Sequence, residues 1–174
     1  LGPRVTEETS PSAPVTEGRV RAVVAVSTLA MTVSYVDRQS MAALGPTVTE
    51  QLHLSHTQWG ALTSAFSIAY LVGAPLAGLM VDRIGARRGL AIAVVVWSAV
   101  AGLHALAPGF AALVVLRILL GFAESPTSPA AARCVGGVTP ERSRSAALAW
   151  LFTGSSIGAA VAGPAAIALE ARTH

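Results

Sequence analysis

The sequence predicts an all-α integral membrane protein, and three observations carry that expectation. The 174 residues are 53% hydrophobic and only 12% charged, with a mean hydropathy of +0.61; a soluble domain carries about 25% charged residues. Five apolar stretches match the roughly 20 residues that a helix needs to cross a bilayer. The arginines, finally, fall into alternate connections between those stretches.

The elements follow in chain order. Residues 1–18, "LGPRVTEETSPSAPVTEG", are rich in Pro, Ser, Thr and Glu. Such a segment cannot bury a core and is expected to be disordered. The first residue is Leu rather than Met, as in an incomplete or processed chain, and no basic segment with a cleavage site opens it. The five spans then lie at about 20–44, 57–81, 89–107, 110–134 and 144–169 within the membrane region 19–170. Backbone in lipid must satisfy its own hydrogen bonds, so each is read as a helix. Residues 171–174 look like a truncated end, just after an outward crossing.

All 12 basic residues are arginine, and the formal net charge is +3. Arg4, Arg19 and Arg21 precede span one, Arg83, Arg87 and Arg88 join spans two and three, and Arg133, Arg142 and Arg144 join spans four and five. The connection between spans one and two has none, nor has "HALAPG" (104–109), and Arg172 alone follows span five. The positive-inside rule then puts the N-terminus in the cytoplasm. A pI near 10.0 could point to nucleic acid. These arginines alternate with apolar runs instead, so lipid is the expected partner and nucleic acid is not.

Cys134 is the single cysteine, which excludes an internal disulfide and reads as a small packing residue. His53, His56 and His104 read as loop residues without metal-ligand companions. No nucleophile and base, phosphate loop or metal cluster stands out, so neither an enzyme nor a cofactor is expected.

The loop "GLMVDRIGARRGL" (78–90) reads G-x-x-x-D-R-x-G-x-R-R, through Gly78, Asp82, Arg83, Gly85, Arg87 and Arg88. Gly78 is suited to close helix approach and Gly85 to a tight turn; Asp82 places a carboxylate among arginines. This pattern resembles the signature loop of the major facilitator superfamily. "RILLGFAE" resembles that family's fourth-helix motif, with Arg117 and Gly121, and "PERSRS" (140–145) its loop before helix five. The resemblance implies a twelve-helix fold in two six-helix halves, with substrate held between them. This chain would supply the N-terminal five helices, and the C-terminal half would be its missing partner. "YVDRQSMAALGPTV", "RILLGFAESPTSPA" and "GSSIGAAVAGP" further resemble the anion:cation symporter branch, whose members include bacterial hexuronate, galactonate and glucarate transporters.

Charges inside the spans mark a site. Each costs about 2.5–3.5 kcal/mol at mid-membrane, so such groups should line a wet cavity. Arg117 and Glu124 are seven residues apart, about two turns, and share a face of span four. They are too far apart to pair directly, so their partners are expected on span one, where Asp37 and Arg38 are adjacent. Tyr35 and Tyr70 add hydroxyls for a sugar acid. The resemblance assigns roles: Arg38 holds the substrate carboxylate, Asp37 and Glu124 take protons, and Arg117 couples them. Plainer alternatives stand beside these. Arg117 and Glu124 can serve structure alone, Asp37 and Arg38 can sit at a polar helix end, and Tyr70 can pack.

Pro126 and Pro129 should bend span four. Gly154 and Gly158 give span five a face for close helix contact. The expected function is proton-driven symport of an organic anion across a bacterial inner membrane by alternating access. The alternatives are a multidrug exporter, against which Arg38 and the 5% aromatic content argue, and a truncated, inactive membrane fragment.

Overall fold

The computed structural model describes residues 16–171, so most of the expected disordered segment and the chain end lie outside the described residues. The described residues form seven α-helices: α1 (Glu17–Ala43), α2 (Gly45–Gln51), α3 (His56–Ile84), α4 (Ala86–Leu103), α5 (Phe110–Glu124), α6 (Thr127–Gly136) and α7 (Glu141–Glu170). A 3₁₀ turn, His104–Leu106, follows α4. Among the described residues there is no strand. Among the described residues, five helical segments are long and apolar enough to cross a membrane, with α5 and α6 together forming the fourth.

The boundaries have local causes. Ser55 caps α3 reciprocally: its hydroxyl accepts from the Gln58 N–H (3.2 Å) and its own N–H donates to the Gln58 side chain (2.8 Å). That satisfies two of the donors a helix start leaves free. Gly85 alone separates α3 from α4, and its φ of +88° suits a residue without Cβ. Span four is interrupted in its hydrogen-bond ladder, although Ser125 and Pro126 keep right-handed helical dihedrals. Helix α5 ends at Glu124, Ser125 and Pro126 form the joint, and α6 starts at Thr127. Pro126 sits at that joint, where its ring cannot continue the ladder. Pro129 lies in the first turn of α6 and, like Pro126, has no N–H to give to the ladder of the span. The short α2, which no apolar run announced, closes one end of the bundle. Leu54, Leu62 and Leu113 are buried there, with Val48, Leu52, Trp59 and Phe110 packed around them.

Helix α1 packs along α7 and α3 along α5, while α6 touches α1, α4 and α7. Lipid tails are as apolar as the core, so helices here associate through close packing and polar contacts rather than by escape from water. Large apolar residues accordingly face outward as well as inward; Leu71 and Leu106 are 72% and 76% exposed, while Leu62 and Leu151 are fully buried. Gly154 and Gly158 lie against α1, beside Thr28, Thr32 and Tyr35, as the small-residue face predicted. Gly78 is different. A side chain there would meet nothing within 4 Å, so its side of α3 faces no neighbouring helix among the described residues.

A Cβ at Gly158 would press on the Thr32 carbonyl. Overpacking of this kind costs about 1–3 kcal/mol. Gly158→Val should therefore lower the melting temperature in detergent by several degrees, whereas Gly163→Ala, inside α7 with open space around it, should not lower it.

Candidate functional site

The site lies inside the bundle and is built around Glu124, the last residue of α5. Its side chain is fully buried. Arg38 of α1 donates from Nη2 to Glu124 Oε2 at 2.6 Å, and the Ser34 hydroxyl donates to the same oxygen at 3.2 Å. Ser34 and Arg38 are one turn apart on α1, so one helix face supplies both donors. Arg38 is not at a polar helix end: α1 runs on to Ala43.

The Arg38 guanidinium is enclosed by three aromatic rings. Its carbon lies 5.1 Å from the Tyr35 ring centre, 4.9 Å from Phe66 and 4.6 Å from Tyr70. The faces of aromatic rings attract cations, by about 0.5–2 kcal/mol each depending on desolvation. Arg117, only 4% exposed, faces the same Phe66 ring at 5.6 Å. One phenyl ring therefore sits against both arginines. Tyr70 and Phe66, one turn apart on α3, stack with centres 6.1 Å apart, and the Tyr70 hydroxyl lies 3.5 Å from Ser128 of α6.

Close backbone approach makes this possible. A Cβ at Gly121 would meet the Phe66 carbonyl and the Tyr70 N–H at 2.5 and 3.0 Å. Any other residue would push α3 away from α5 and pull the aromatic rings off the arginines. The glycine singled out beside Arg117 in sequence thus sets the depth of the site.

Asp37 lies within Coulombic reach of Arg117, Arg38, Glu124 and His104. Its Oδ2, Glu124 Oε1, and the Nε atoms of Arg38 and Arg117 are buried with no hydrogen-bond partner among the described residues. Two carboxylates and two guanidiniums thus share one layer with part of their bonding capacity unused. A cavity of ≈ 500 Å³ opens onto this layer, lined by Arg38, Thr63, Phe66, Ser67, Tyr70 and Arg117 among others. Its size falls within the roughly 300–1,000 Å³ of small-molecule sites. A larger cavity of ≈ 740 Å³ between α1 and α4 is lined mostly by apolar residues and lies away from these charges.

All six membrane charges and tyrosines singled out in sequence meet here. The loop residues do not; they form a second location at the arginine-rich end. There Asp82 pairs with Arg133 of α6 instead of with the loop's own arginines, and both partners are about half exposed. Arg83, Arg87 and Arg88 are exposed. Sequence reasoning passed over Arg133 as an ordinary loop arginine, and passed over Ser34, Phe66 and Ser128. Ser34 and Phe66 each stand four residues before a chosen residue, Arg38 and Tyr70, and that helical spacing was the available signal. Among the described residues no group of three or more His, Cys, Asp or Glu side chains is placed to hold a metal ion.

The profile of the Major Facilitator Superfamily matches residues 27–171. The chain is 38% identical over 136 residues to a hexuronate transporter of Bacillus subtilis (strain 168), covering 78% of this chain and 32% of that protein. It is 36% identical over 142 residues to the hexuronate transporter of Escherichia coli (strain K12), covering 82% and 33%. It is 32% identical over 142 residues to a galacturonate transporter of Dickeya chrysanthemi, covering 82% and 41%. The chain thus spans about a third of the length of the first two relatives. Among solved structures, a bacterial homolog of the human lysosomal transporter Spinster, in an inward-facing, unoccupied conformation, superposes with a TM-score of 0.79 at 26% identity, over 84% of this chain and 31% of that one.

Proposed function

The chain belongs to the Major Facilitator Superfamily, and from that premise we propose that it forms the N-terminal part of a proton-coupled carrier that imports sugar acids by alternating access. The similarity to hexuronate and galacturonate transporters supports the substrate class. The observation that carries the mechanism is the Arg38–Glu124 bond beside a cavity that also holds Arg117.

The logic is electrostatic. A guanidinium can hold a carboxylate through two parallel hydrogen bonds. While Glu124 is ionised, it occupies part of the Arg38 fork. A proton on Glu124 removes the opposing charge and frees the fork for a substrate carboxylate. Proton and anion then favour each other's binding, and the linkage is reciprocal. Charge balance points the same way. Asp37, Arg38, Arg117 and Glu124 sum to zero, and one proton with one monoanion leaves the sum unchanged. Neutral loading matters in a desolvated layer, where an unpaired charge is costly. Asp37 gives a second carboxylate for a further proton, and Arg117, held against the same ring as Arg38, connects the two acids. Tyr35 and Tyr70 would orient the sugar hydroxyls. The pair Asp82–Arg133 would close the opposite end as the halves rock, with Gly78, Arg83, Gly85, Arg87 and Arg88 as its loop. Two buried or part-buried arginines make the cavity a poor fit for a lipophilic cation and favour an anion. The C-terminal half against which these helices rock would come from the rest of a longer chain.

The arginine pattern supports an N-terminus in the cytoplasm. With Cys134 replaced by Ala, single cysteines at 83–88 should label from the cytoplasmic side and those at 104–109 from outside; labelling of both from one side would reject the orientation.

Glu124→Gln in the complete carrier keeps shape and cannot titrate. Proton-driven accumulation of a sugar acid should be lost while exchange across a preloaded membrane continues. Accumulation at the wild-type level would show that Glu124 is not the coupling acid.

Arg38→Lys keeps the charge but loses the fork. Affinity for a sugar acid should fall at least about tenfold, or roughly 1.4 kcal/mol, and Arg38→Ala should be worse. Binding would be measured on the purified carrier against sugar acids and lipophilic cations. Wild-type affinity in both variants, or binding of cations only, would overturn the anion reading.

A further inference from the structure

We propose that Phe66 is a positioning residue of the carrier: its ring holds the Arg38 and Arg117 guanidiniums against the cavity while Glu124 is neutral. The proposal rests on the carrier reading above and gives a task to a ring which that mechanism leaves without one.

Phe66 lies inside α3, is 6% exposed, and lines the ≈ 500 Å³ cavity together with Arg38 and Arg117. The guanidinium carbons lie 4.9 Å and 5.6 Å from its ring centre. Both fall within the roughly 6 Å over which a ring face attracts a cation. The side chain has no polar atom, so the ring face is its one means of acting on a charge. Tyr35 and Tyr70 also face Arg38, but among the described residues only Phe66 faces Arg117 as well. The ring is itself held. Tyr70 stacks on it, and Ala93, Trp97 and Leu120 share its buried cluster. One fixed ring that serves two guanidiniums also fixes the spacing between them.

Arg38 needs this hold at one stage above all. With Glu124 ionised, the 2.6 Å bond to Oε2 keeps the guanidinium in place, and Ser34 donates to the same oxygen. A proton on Glu124 takes the charge out of that bond. A released arginine regains much rotamer freedom, and a fork that swings out of the cavity leaves a substrate carboxylate without its partner. The Nε atoms of Arg38 and Arg117 supply no anchor, since neither has a hydrogen-bond partner among the described residues. A ring contact requires no acceptor and does not change when Glu124 takes its proton. Phe66 therefore keeps both forks presented through the step that frees Arg38, and less of their freedom is lost when the anion binds.

The test places a series of ring-fluorinated phenylalanines at position 66 of the purified, complete carrier and measures the binding of galacturonate. Each fluorine draws electron density from the ring face and changes its size little. Affinity should fall stepwise along the series, about tenfold with three fluorines, or roughly 1.4 kcal/mol. With 4-methylphenylalanine, which is bulkier but keeps an electron-rich face, it should stay near the wild-type value. A flat series would overturn the proposal. So would an equal loss with the methyl variant, which marks packing, or an equal loss when trifluorophenylalanine replaces Phe122, which is 41% exposed. If the wild type binds no sugar acid, the carrier reading fails, and the hold is judged separately by NMR in a Glu124→Gln background. Arg38 and Arg117 side-chain protons that lie at high field and move downfield on adding Phe66→Leu keep the hold; the same shifts with and without the ring overturn it.

Discussion

Glu124 has none of its side chain exposed, and its charge is answered by Arg38 through one short hydrogen bond. A carboxylate in that position is tolerable only while the guanidinium stays beside it, because removing one member of a buried pair leaves the other uncompensated. Much of the surrounding architecture serves that adjacency. Gly121 brings α3 against α5 so that Phe66 and Tyr70 face Arg38. Ser34 adds a second donor from the same face of α1. The joint at Ser125 and Pro126 ends α5 just after the carboxylate. The lipid supplies no hydrophobic drive between helices. Polar contacts and close backbone approach therefore do in this bundle what a dry core does in a soluble protein.

The spans and the membrane charges were legible because their physics is local. Twenty apolar residues between arginine clusters can be counted along the chain, and a charge within such a run announces itself by its cost. Arg38 and Glu124 were visible for that reason; their pairing, across 86 residues of sequence, was expected only as a contact between spans one and four. Phe66 was not chosen because a phenylalanine in an apolar run looks like every other lipid-facing or core residue. In the structure its burial (6% exposed against 41% for Phe122) and its distances to two guanidinium groups separate the two. Arg133 was hidden for the opposite reason. The sorting of loop arginines explained it completely, so nothing in the sequence asked for its partner Asp82. Gly78, placed in the motif by its spacing, has open space beside it among the described residues. The short α2 carried too little periodicity to be seen.

The two polar locations are joined by helix α6. Its first turn carries Ser128, beside the Tyr70 hydroxyl, and its last turn carries Arg133, paired with Asp82. Between them Ala130 and Ala131 are fully buried. Interiors packed to this degree respond as units rather than by gradual deformation. A displacement of Tyr70 around an occupied site therefore has a packed route to the ion pair at the arginine-rich end.

The one-residue link at Gly85 has a mechanical meaning of its own. Helices α3 and α4 end and begin on either side of a single peptide unit, so the hairpin contains no slack. Adding one residue to a helix turns everything beyond it by about 100°. On the α4 side that would swing Trp97, now buried against Phe66, toward lipid. A longer loop would absorb such a change in phase; this one transmits it. The hairpin is thus held to an integer register, and the chain's tolerance for insertions and deletions ends where its shortest connection lies.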